Sequence, residues 1–163
     1  MSKPASRLLF LPIALVIVGL DQATKFWAEA TLVGKGSVPV LGELLQFRLA
    51  YNDAAAFSLG VGATWVLTTI SLVASLALLF YAPRAKTLIW GVIAGLALGG
   101  AVGNLIDRAF KAPAFFNGHV VDFLQIPFNF PIFNLADTFL VTAVALAILR
   151  TVLGDEIGGG RAK

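Results

Sequence analysis

The stretch Val120–Asp137, VVDFLQIPFNFPIFNLAD, decides how this chain is read. It carries two aspartates, Asp122 and Asp137, in a sequence otherwise suited to lipid. Asp122 follows two valines and precedes an extended, proline-broken segment, while Asp137 sits a few residues into an apolar run that continues to Leu149. A charged side chain at the centre of a membrane helix costs about 2.5–3.5 kcal/mol on insertion scales, so an intramembrane aspartate marks a functional site by default. Two of them, joined by a loop that returns to the membrane surface, imply a shared site.

Outside that stretch the composition points the same way. A length of 163 residues suits one domain, and 58% hydrophobic with 13% charged residues excludes both an ordinary soluble domain and a disordered chain. Long apolar runs place it in the membrane class. The net charge of +3 is modest, and the basic residues cluster at the ends of apolar runs. That serves membrane orientation and is no nucleic-acid footprint. The absence of cysteine removes disulfides, a thiol nucleophile and cysteine metal ligation, and the single histidine, His119, cannot form an HExxH zinc site.

The runs predict an all-α membrane fold in one membrane-embedded domain covering 1–163. Its spans fall at about 8–28, 63–82, 87–107 and 131–153, its outward segments at about 29–62 and 108–130, and a flexible glycine-rich tail at 154–163. The first run could instead be the apolar core of a secretory signal, with Ala28-Glu29-Ala30 as a cleavage site, but it is long enough to span. Between Glu43 and Tyr51 apolar Leu45, Phe47, Leu49 and Tyr51 alternate with Leu44, Gln46, Arg48 and Ala50, the period of a half-exposed strand. A small sheet outside the bilayer follows. Gly91, Gly95 and Gly99 read as helix-packing residues. Pro131 suits the first turn of the fourth helix. Four spans put both termini on one side together with Lys3, Arg7, Arg84, Lys86, Arg150, Arg161 and Lys163, against Lys35, Arg48, Arg108 and Lys111 opposite. The positive-inside rule makes the termini cytoplasmic and both long connections extracytoplasmic.

Polar residues gather at the outward ends of the spans: Asp21 and Lys25, Asn52 and Asp53, Asn104, Asp107 and Arg108, Asn134 and Asp137. On one face of so apolar a chain they suggest one convergent site. Two carboxylates in a low-dielectric site cannot easily both ionise and tend to share a proton. Such a pair supplies a base for water and an acid for a peptide carbonyl. Spacing alone leaves the Asp122–Asp137 pair open as a catalytic dyad, a cation site or a proton site. Asp21 and Lys25, four apart on a helix, read as a structural ion pair. Asp107 reads as a helix-end residue, Asp53 as turn chemistry, and His119 as a residue of the wet interface. Trp27, Trp65 and Trp90 read as interface anchors.

These residues resemble the motifs of the lipoprotein signal peptidase family, the type II signal peptidases of bacteria. Asp21-Gln22-Ala23-Thr24-Lys25 resembles its D-Q-x-x-K, Gly103–Arg108 its G-N-x-x-D-R, Val120–Phe123 its V-x-D-F, and Phe133–Asp137 its F-N-x-A-D. The resemblance implies an aspartyl endopeptidase of the bacterial inner membrane that removes signal peptides from diacylglyceryl-modified prolipoproteins, cleaving just before the lipidated cysteine. Asp122 and Asp137 match its catalytic aspartates. Asn104, Arg108 and Asn134 match positions lining its site, and Asp21, Lys25 and Asn52 further positions of its motifs. It also implies four transmembrane helices, an extracytoplasmic β-cradle and a short interfacial helix, with membrane lipids and the prolipoprotein as partners. The expected chemistry needs no metal or cofactor, and the chain is expected to act as a monomer and to bind no nucleic acid. One departure stands out: Asn52-Asp53-Ala54-Ala55-Ala56-Phe57 carries Ala54 where the family usually has glycine. That puts the shape of this loop in question and leaves the dyad untouched.

Two other classes remain as alternatives. A small proton- or cation-coupled transporter would use the same carboxylates as a relay. A metal-dependent lipid-headgroup enzyme would gather Asp53, Asp107, Asp122 and Asp137 around a divalent cation.

Overall fold

The computed structural model describes residues 8–53 and 64–156. Four helices carry it: α1 (Phe10–Leu32), α2 (Thr64–Tyr81), α3 (Leu88–Phe110) and α4 (Leu135–Val152). Each is long and apolar enough to cross a membrane. A three-stranded antiparallel sheet of β1 (Val38–Pro39), β2 (Gln46–Asn52) and β3 (Val120–Gln125) sits among them in the order β1-β2-β3. The architecture is thus an all-α membrane fold with a small β-cradle. Among the described residues the four spans are the only α-helices, so the short interfacial helix is not seen there. Ala54 lies outside the described residues.

The core is organised by α3. On α1 the buried residues Phe10, Ala14, Ile17, Asp21, Lys25, Ala28 and Leu32 recur every three or four positions, one helical face. Gly95, Gly99 and Gly103 of α3 lie against that face. A Cβ on them would stand 2.7 Å from Ile13 Cβ, 2.6 Å from Ile17 Cβ and 2.6 Å from Asp21 Oδ2 respectively. Residues four apart on one helix thus meet residues four apart on the other, and the missing side chains let the backbones close up. In lipid, where no hydrophobic force joins helices, such contact carries association. Gly100 does the same toward α4, where a Cβ would lie 2.5 Å from Ala136 O.

Four boundaries differ from the sequence reading. Helix α1 runs to Leu32 where 28 was expected, and α3 to Phe110 where 107 was expected. Helix α4 begins at Leu135 rather than near Pro131, because the residues before it are used differently. Phe133 pairs with Leu124 in an antiparallel bridge, N–H to carbonyl at 3.0 and 2.8 Å, and Asn134 then caps the helix. At the other end Gly154 and Asp155, expected in a flexible tail, fold back on α4. Gly154 takes φ +80° and donates to Thr151 O, and Asp155 donates to Arg150 O and pairs with its guanidinium. The remainder of that tail, 157–163, lies outside the described residues. Trp90 is also no interface anchor: it is 6% exposed and packs with Ala85, Ile93 and Ala143.

Candidate active site

The site grows from the return loop between β3 and α4. Strand β3 places Asp122 opposite Ala50 of β2, after a register shift between Phe47 and Ala50. The Leu124–Phe133 bridge then turns the chain back, so Asn134 arrives beside Asp122. Asn134 is the N-cap of α4 and forms a capping box with Asp137: its Oδ1 accepts the Asp137 N–H at 3.0 Å, and Asp137 Oδ2 accepts the Asn134 N–H at 3.2 Å. The same Asn134 donates through Nδ2 to Asp122 Oδ1 at 2.6 Å and to Asn104 Oδ1 at 3.1 Å. Asn104 donates in turn to Asp137 Oδ1 at 2.7 Å. Asn52, at the end of β2, donates to Asp122 Oδ2 at 3.0 Å. The two carboxylates are therefore joined through one asparagine, with a further amide on each.

Asp122 is 2% exposed. Burial pushes its carboxyl up to about 6. The Asn52 hydrogen bond opposes this, the Asp137 charge adds to it, and Asn134 and Lys25 oppose it. Asp137 is half-buried, at the first turn of α4.

Behind the pair lies a charged layer. Lys25 Nζ is 2.8 Å from Asp21 Oδ2, 3.0 Å from Asp107 Oδ2 and 3.0 Å from Asn104 Oδ1, so each of its three N–H groups has an acceptor. All three charged side chains are fully buried. Asp21 and Lys25 do pair, but the pair is one half of a three-residue bridge that includes Asp107. Asp107 is thus more than a helix-end residue. Its Oδ2 accepts the N–H of Val121, and Asp21 Oδ1 accepts the N–H of Ala136, each at 3.0 Å. These are the residues immediately before Asp122 and Asp137. Gln22 Nε2 closes the layer, reaching Asp21, Gly103 O and Asp107 at 3.1 to 3.2 Å.

The sequence reading gave Asp107 only a structural place at a helix end and named Gln22 only within its motif; both belong to the layer behind the pair. A usable signal existed for Asp107: it lies three residues after Asn104 on α3 and so on the same face. Arg108 is half-buried, its Nε has no hydrogen-bond partner, and its charge acts on Asp137, Asp122 and Asp107. Asp53 is exposed, and its carbonyl accepts from Thr64 at 3.3 Å. Because Asp107 is turned to Lys25 and Val121, the four-aspartate metal arrangement is not formed. His119 stands apart, in a cavity of about 550 Å³ with Glu29, Tyr51 and Lys111.

Four helices long and apolar enough to span a membrane, with two aspartates joined through asparagine hydrogen bonds at one end, fit a membrane-embedded hydrolase of the aspartyl type. The family model described as Signal peptidase (SPase) II matches residues 13–153. The lipoprotein signal peptidase of Leifsonia xyli subsp. xyli is 42% identical over 149 residues, 91% of this chain and 69% of that protein. That of Mycobacterium leprae is 39% identical over 166 residues, 100% of this chain and 82% of that protein. A bacterial membrane enzyme solved by the in meso method at 1.9 Å resolution superposes with a TM-score of 0.78 at 30% identity, covering 90% of this chain and 94% of that one. The chain belongs to the signal peptidase II family.

Proposed function

We propose that this chain is the aspartyl endopeptidase that removes signal peptides from diacylglyceryl-modified prolipoproteins, cleaving before the lipidated cysteine, with Asp122 and Asp137 as its catalytic pair. The observation that carries the pairing is the single Asn134 bonded to both carboxylates. Between them the pair holds one proton. Asp122, whose carboxyl keeps its proton up to about pH 6, protonates the scissile carbonyl oxygen. Asp137 takes a proton from water, which attacks the carbonyl carbon. Asp137 then gives that proton to the leaving nitrogen as the C–N bond breaks, Asp122 takes a proton from one hydroxyl of the collapsing gem-diol, and the pair returns to its starting state.

The remaining residues support that pair. Asn52, Asn104 and Asn134 orient the carboxylates by hydrogen bonds. Asp21 and Lys25, with Asp107, hold the backbone from which both project. Arg108 contributes positive charge beside them. The chain acts as a single monomeric unit in the bacterial inner membrane, with cytoplasmic termini and the aspartates at the extracytoplasmic face. Lipid on the substrate cysteine then holds the scissile bond at the depth of the site. Transport fits less well. Below Asn104 the buried residues of α3 are Gly103, Ala101, Gly100, Gly99, Leu98, Gly95, Ile93, Gly91 and Trp90, none of which offers a proton or cation a side-chain acceptor.

The test is a gel-shift assay with one lipidated precursor. Asp122→Asn and Asp137→Asn are each expected to abolish cleavage while the protein still inserts and keeps its thermal transition. Retained cleavage by either variant overturns the pair.

A further inference from the structure

A second cavity, of about 780 Å³, lies at the opposite end of the bundle from the aspartates, between α2 and α4 and floored by α3. Its volume falls within the roughly 300–1,000 Å³ of ligand-binding pockets. The walls are mostly apolar, with Leu78, Ile93 and Val144 beside the smaller Ala94, Ala97 and Ala147. Its mouth is the turn from Ala82 to Lys86, which contributes Arg84 and Lys86. No acidic side chain is among its described lining residues. Arg84 is held in place there, with Nη1 donating to Phe80 O at 2.6 Å and the guanidinium over the Phe80 and Tyr81 rings at 4.6 and 4.9 Å.

The N-terminus of the 23-residue helix α3 also lies at this end, where the Thr87 side chain accepts the Trp90 backbone N–H at 3.4 Å. Trp90 lines the cavity and is 6% exposed.

We infer that this groove binds an anionic phospholipid, its phosphate between Arg84 and Lys86 and an acyl chain along the alanine-lined floor. A guanidinium presents a planar fork that fits phosphate. The competing occupant is the apolar segment of a substrate's signal peptide. Signal peptides carry a basic stretch before that segment, which here would meet Arg84 and Lys86 as like charges. Charge therefore selects the lipid. The leaflet rests on the orientation proposed above, which puts this end at the cytoplasmic face, where anionic lipids attract basic residues.

The test uses the full chain with Trp27→Phe and Trp65→Phe, leaving Trp90 as its only tryptophan, in phosphatidylcholine vesicles. Phosphatidylglycerol brominated on its acyl chains, added at low mole fraction, is expected to quench Trp90 at least fivefold more effectively than brominated phosphatidylcholine. Arg84→Gln with Lys86→Gln is expected to abolish that preference while cleavage of a lipidated precursor is unchanged. Ala147→Phe, which fills the groove, is expected to reduce quenching by both lipids. Equal quenching by the two lipids in the parent overturns the inference. So does a preference that survives the double glutamine variant, or quenching relieved by a synthetic signal-segment peptide. Because cleavage is read separately, loss of lipid preference cannot be confused with loss of the peptidase.

Discussion

Asn134 donates its side-chain amide to Asp122 at 2.6 Å, across 12 residues of chain that leave β3, turn, and return as the cap of α4. One residue thereby performs two tasks, starting a helix and holding a carboxylate. The tasks can be separated. Asn134→Ala removes the cap, at a cost of about 1 kcal/mol, and also leaves Asp122 without this donor. Asn134→Ser keeps a good capping oxygen but is too short to reach Asp122. A thermal melt is expected to recover most of the lost stability with serine, while cleavage stays at least tenfold below the parent in both variants. Equal activity for Asn134→Ser and the parent would show that the amide bond to Asp122 is dispensable.

The buried Asp21–Lys25–Asp107 bridge predicts an asymmetric response to mutation. Lys25→Met leaves two carboxylates without their countercharge, and breaking a buried pair this way costs about 3–5 kcal/mol. A large drop in melting temperature is expected. Adding Asp21→Asn and Asp107→Asn to Lys25→Met removes the unpaired charges and is expected to restore part of that drop. A Lys25→Met protein that melts with the parent would refute the role assigned to the bridge.

Close helix approach makes a graded prediction along α3. Gly103→Ala pushes a methyl toward Asp21 Oδ2 at 2.6 Å, and Gly99→Ala one toward Ile17 Cβ at 2.6 Å. Overpacking of this kind costs about 1–3 kcal/mol. Gly103→Ala is expected to lower cleavage as well as stability, since Asp21 holds the Ala136 amide next to Asp137. Gly19→Ala on α1 has nothing within 4 Å of its Cβ and is expected to change neither. Parallel melts of the three variants check the order.

The raised Asp122 carboxyl fixes the sign of the pH response. It holds its proton below about 6 and loses it above. The singly protonated pair is therefore depleted as pH rises, and kcat/KM is expected to fall toward tenfold per unit on the alkaline side. The limb belongs to the coupled pair. The Asn52 hydrogen bond favours the ionised form, so Asn52→Ala is expected to move the limb to higher pH. Initial rates at low substrate across pH 5 to 9, an interval of about four units around this limb, decide it. A limb displaced downward by Asn52→Ala contradicts the proposed protonation.

Much of the frame was legible because it depends on local properties. An apolar run of about 20 residues spans a bilayer whatever it later packs against, so four spans could be placed before any contact was known. Their ends were harder. Pro131 looked like a helix start, yet Phe133 is taken by Leu124 and the helix waits for Asn134. Trp90 looked like an anchor by position and is core by packing.

Four spans with charges gathered at their ends, Asp122 and Asp137 foremost, are written in the order of residues alone. Both follow from the cost of putting a polar group in lipid, which each segment meets alone. Which charges meet is settled by the folded chain. Lys25 finds Asn104 across 79 residues, Asn52 finds Asp122 across 70, and Val121 offers its N–H to Asp107 on another element. Such meetings depend on the register of β3 and on how closely glycine lets α1 approach α3. Both are set by packing between segments, which no single segment's pattern encodes.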